Sequence, residues 1–99
     1  MVDQATADRV RMVRGMIAEY GEQIERGRSR IETLRLDWES RRSAARDLAE
    51  QGRPEEALRS RAATDELRRR VDRAEEQVDR LEEILTVVRR KLGELQRES

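Results

Sequence analysis

The sequence has no cysteine, no histidine and no phenylalanine, and only one proline, one tryptophan and one tyrosine. Without cysteine there is no disulfide framework, no thiolate metal site and no catalytic thiol. Without histidine the commonest general base and metal ligand is missing as well. Aromatic residues at 2% and hydrophobic residues at 35% are too little for a thick globular core but enough for a thin helical seam. Neither sign of charge is in excess, the formal net charge being zero, so bulk electrostatics nominates neither a polyanionic nor a polycationic partner. No apolar run approaches the roughly 18 residues of a membrane span. The N-terminus carries no basic segment leading into an apolar one, so no secretory leader is read there and the expected location is cytoplasmic.

Catalytic signatures are missing too. There is no glycine-rich phosphate loop, no nucleophile elbow and no metal-ligand spacing. The paired acids Glu75-Glu76 and Glu82-Glu83 could suggest acid/base chemistry, but each lies in a helical stretch with Arg at helical spacing and nothing to desolvate it. They read as ion-paired surface. The chain is therefore expected to be no enzyme, and no cofactor or metal is expected.

What the sequence does have is charge, 44% of its residues, and a regular apolar stripe beneath it. From Val10 the stripe runs Val13, Ile17, Tyr20, Ile24, Gly27, Ile31, Leu34, Trp38, Arg41, Ala45 and Leu48. The spacing alternates three and four, which is a heptad seam with a at 10, 17, 24, 31, 38 and 45, and d at 13, 20, 27, 34, 41 and 48. A second seam follows: Ala57, Ser60, Thr64, Leu67, Val71, Ala74, Val78, Leu81, Leu85, Val88, Leu92 and Leu95. Between the two lies Gln51-Gly52-Arg53-Pro54. Gly suits the left-handed residue just past a helix C-terminus, and Pro suits the first position of the next helix. Glu55 and Glu56 then fall where the helix dipole favours carboxylates.

A chain folded at this turn pairs the seams so that every facing pair of residue numbers sums to 105, with a opposite d in all twelve layers. The expectation is an all-α, two-helix antiparallel coiled-coil hairpin forming one unit over residues 1–99. Helix one covers about 4–50, the turn 51–53 and helix two about 54–97, with Asp3 or Thr6 capping the first helix. The seam holds 17 large apolar residues, each covered only in part by one opposing helix. Ordering such a chain costs on the order of 100 kcal/mol of conformational entropy. A lone hairpin should be marginal, so a homodimeric four-helix assembly or a protein partner is expected.

Leu48 to Leu58 resembles the inter-helix turn of a tetratricopeptide repeat, although the flanking helices are far longer than a 34-residue repeat holds. Ala44-Ala45 together with Glu55-Glu56-Ala57 is similar to the UVR-type helical hairpin. The general shape is similar to the hairpin stalks of secretion ATPases and to the tRNA-binding arm of seryl-tRNA synthetases. These likenesses cover a turn or an architecture and assign no family.

Two features lie outside the seam. Met12, Met16, Ile84 and Val87 occupy c and g positions of the two helices, one flank of the seam, and are the candidate protein interface. The opposite flank carries Arg28, Arg35, Arg42, Arg61 and Arg68, a candidate anion-facing stripe in which Arg35, Arg42, Arg61 and Arg68 lack evident facing acids. Residues 26–73 hold 14 basic and 10 acidic residues, the remainder 8 and 12, which suggests a charge dipole along the hairpin. The expected function is a scaffold, adaptor or small chaperone working through protein contacts. A nucleic-acid-binding arm using the Arg stripe is the alternative, opposed by zero net charge and the lack of interleaved aromatics.

Overall fold

The computed structural model describes residues 3–98. It contains two helices, α1 over Gln4–Glu50 and α2 over Pro54–Glu98, packed against each other as an all-α hairpin. Among the described residues there is no strand.

Asp3 caps α1. Its carboxylate accepts a hydrogen bond from the Thr6 N–H at 2.7 Å, and its carbonyl accepts the first intrahelical bond from Ala7. The Thr6 backbone bond holds the Asp3 carboxyl below its ordinary range, because the charged form is the acceptor. At the other end of α1, Gly52 takes φ +73. The Arg53 N–H reaches the Leu48 carbonyl at 3.0 Å and the Gly52 N–H reaches the Ala49 carbonyl at 3.1 Å. Those are the two bonds of a Schellman motif, which satisfies carbonyls that a helix end leaves unpaired. Pro54 opens α2, and Glu56 in its first turn pairs with Arg53 at 2.6 Å.

The chain forms two compact units. Residues 1–26 with 77–99 make one and residues 27–76 the other. In the first unit Ile24, Val78, Leu85, Val88 and Leu95 are buried. Val10, Val13, Ile17, Tyr20, Leu81 and Leu92 are half-buried around them. In the second unit Ile31, Leu67 and Val71 are the buried apolar residues, with Leu34, Trp38 and Leu48 half-buried.

Thr64 is the one buried polar residue among those described, and its hydroxyl donates to the Ser60 carbonyl one turn back at 2.8 Å. That bond relieves the penalty of an unpaired hydroxyl in the seam. Every expected seam position is buried or half-buried except Arg41. Arg41 turns out of the seam and donates from Nε to Asp37 at 3.3 Å on its own helix. A guanidinium left between two apolar helices would be desolvated without a partner, so it extends to the surface instead.

Candidate functional site

On the c and g flank of the unit formed by residues 1–26 and 77–99, the four apolar side chains expected at the surface are there. Met12 is 68% exposed, Val87 60%, Ile84 41% and Met16 36%. The c and g positions bracketing them carry Arg9 and Lys91 towards one end, Lys91 pairing with Glu94 at 3.9 Å, and Glu19 and Arg80 towards the other. Leu36 and Leu58 are also exposed, outside the c and g flank, and sequence reasoning did not single them out.

The Arg flank differs from expectation. Arg35 does have a facing acid, pairing with Glu75 across the two helices, whereas Arg68 has none facing it and lies with its Nε 3.3 Å from Asp72 one turn on along its own helix. Arg28 is partnered as well. The Arg35–Glu75 pair joins two e positions whose numbers sum to 110. The same rule one heptad on sets Arg42 opposite Arg68, a like-charge pair. Both guanidinia lie over Trp38, each with its Cζ 5.3 Å from the ring centroid, within reach of a cation–π contact. The indole's negative face offsets part of the repulsion between them.

Next to this cluster the seam narrows to Ala45, Ala57, Ser60 and Thr64. Small residues on facing helices leave a recess of about 430 Å³ beside Trp38, rimmed by Arg42, Arg46, Arg61 and Arg68. Asp65 is its single carboxylate. Among the described residues, Arg42, Arg46 and Arg61 have no ion pair. Arg46, at a b position, and Asp65 were not anticipated from the sequence. The e-to-e pairing rule together with the run of small seam residues would have pointed to the recess.

A second acid–base cluster sits on the c and g flank of α2 in the unit formed by residues 27–76. Glu66 takes Arg69 at 3.0 Å, Arg73 at 3.4 Å and Arg70 at 3.7 Å. The hydrogen bond from Arg69, ahead of the other cations, holds the Glu66 carboxyl below its ordinary range. Among the described residues no group of three or more acids is arranged to hold a metal ion, and no helix is long and apolar enough to cross a membrane.

The expected charge dipole does not follow the units that form. Residues 27–76 hold 13 basic and 12 acidic residues, and residues 1–26 with 77–99 hold 9 and 10. Arg26, Glu75 and Glu76 fall on the other side of the division and cancel most of the difference. The charge that remains is local, at the recess.

Fold and surface together define a two-helix hairpin that presents an apolar flank and an Arg-rimmed recess. Set against protein-family profiles, curated proteins and solved structures, the chain matches none.

Proposed function

We propose that this chain is a non-enzymatic coiled-coil interaction module, working in the cytoplasm as a scaffold, adaptor or small chaperone, and that it self-associates through Met12, Met16, Ile84 and Val87. The observation that carries this reading is the one-sided exposure of these four side chains beside a seam whose residues are largely half-buried. A second copy would remove both kinds of apolar surface from water at roughly 25 cal/mol per Å².

The α1 charges beside the patch fit a copy of the same chain. Turned end for end over the patch, a second copy would bring its Glu19 towards Arg9 on α1, while its Arg80 would come towards the Lys91–Glu94 pair on α2. Such a two-fold contact is self-complementary in its α1 charges. The alternative, a nucleic-acid-binding arm along the Arg stripe, has less support because Glu75 and Asp72 already engage two of its five arginines.

Sedimentation of the wild-type chain and of a Met16→Glu/Ile84→Glu variant tests the proposal. The wild type should sediment above 11.6 kDa. The variant should sediment as a monomer with reduced helicity. A wild type that is already a stable monomer would rule self-association out.

A further inference from the structure

We propose that the recess beside Trp38 binds an acidic peptide segment, its carboxylates engaging Arg42, Arg46, Arg61 and Arg68 and one apolar side chain resting on Ala45 and Ala49. This site is separate from the flank assigned to self-association and stands on different residues.

Four arginines and one aspartate line the recess, so its rim carries an excess of three positive charges in a chain with none overall. The excess is held in place. Arg42 and Arg68 both lie against the one tryptophan of the chain, and among the described residues Arg42, Arg46 and Arg61 form no ion pair, Asp65 being the one carboxylate in the lining. Guanidinium groups gathered this way present forked donors to an oxygen anion, which a carboxylate can accept in pairs. Because Trp38 already orders Arg42 and Arg68, less side-chain entropy is lost when the anion arrives. The volume, about 430 Å³, is in the range of sites that hold a few side chains.

An acidic peptide fits better than a nucleic acid for two reasons. A phosphate backbone is followed by a track of cations, whereas this stripe is interrupted by Glu75 on one side and ends in small residues on the other. Base recognition on single strands uses a free aromatic face, and both guanidinia lie over this indole. The apolar floor of Ala45 and Ala49 beside the cations matches a segment in which acidic residues flank a leucine or similar side chain.

Trp38 is the only tryptophan, so its fluorescence reports on the recess directly. The intact chain is titrated with a blocked five-residue peptide of two glutamates, leucine and two glutamates. The same peptide with glutamines, inorganic phosphate and a single-stranded oligonucleotide are titrated in parallel. The acidic peptide should give a saturable change in Trp38 emission that weakens as salt rises past about 0.15 M, where the Debye length is near 8 Å. The glutamine peptide should give none. Arg42→Gln/Arg61→Gln should weaken the acidic peptide at least tenfold while circular dichroism stays that of the wild type. Arg42→Lys, which keeps the charge and loses the fork, should bind at an intermediate level. Should the double variant lose helicity, the Arg42→Lys result and the glutamine-peptide control decide the question. Equal binding of both peptides, no saturation, or tighter binding of phosphate or the oligonucleotide would overturn the proposal.

Discussion

The two units are built from the same two helices and the same heptad, yet they differ in what fills the seam. Residues 1–26 with 77–99 place eleven large apolar residues at a and d; residues 27–76 place six, and fill the remaining positions with Gly27, Arg41, Ala45, Ala57, Ser60, Thr64 and Ala74. The first unit spends its apolar residues on packing and has enough left to expose a patch. The second is thin, and the space its small residues leave is lined by arginines. A regular heptad fixes where side chains point; their size then decides whether a layer packs or opens.

The comparison can be broken most strongly by truncating one leucine in each unit. Leu85→Ala removes a buried side chain in the apolar unit and should cost about 3 kcal/mol in urea unfolding. Leu48→Ala removes a half-buried one next to the small residues and should cost about 1 kcal/mol. Equal losses would mean that the two units are packed alike.

Much of this contrast was legible in the residues themselves. Gly52 and Pro54 located the turn, and the seam positions Ile24, Leu67, Val78 and Leu85 are buried as the heptad requires. Arg41 was misplaced because the heptad gives a position, whereas a long cation can leave that position by extending to Asp37. The Arg35–Glu75 pair was missed because it depends on which residues meet across the flank, an offset the seam numbers do not state directly. The recess was hidden for a related reason. A cavity is an absence of side-chain volume on two helices at once, and neither helix reveals it alone.

Smaller effects sharpen the picture. Gly15 and Gly21 lie within α1 of the apolar unit, and a Cβ added at either meets nothing within 4 Å. Ala at each should therefore stabilise by about 1 kcal/mol through the unfolded chain, read as a higher urea midpoint at unchanged slope. Gly52→Ala should do the opposite by about 1 kcal/mol, since its φ of +73 disfavours a side chain. The smallest effect is on pH. Asp3 and Glu66 have carboxyls held below their ordinary range in the folded chain. Their contribution is present above the unfolded-state values and is lost as pH falls through the lowered ones. Helicity should thus decline slightly on acidification below the ordinary carboxyl range, and less so in Asp3→Asn/Glu66→Gln.

The central claim is the antiparallel register in which a and d residues summing to 105 share a layer. Because the chain contains no cysteine, engineered pairs report without background. Oxidation of an Ile24→Cys/Leu81→Cys variant, followed by non-reducing electrophoresis and mapping of the linked peptides, should give an intrachain disulfide at monomer mass. Ile24→Cys/Leu95→Cys, whose positions lie four layers apart, should give none. Crosslinking of the second pair in place of the first, or crosslinks of the first pair only between chains, would contradict the hairpin register.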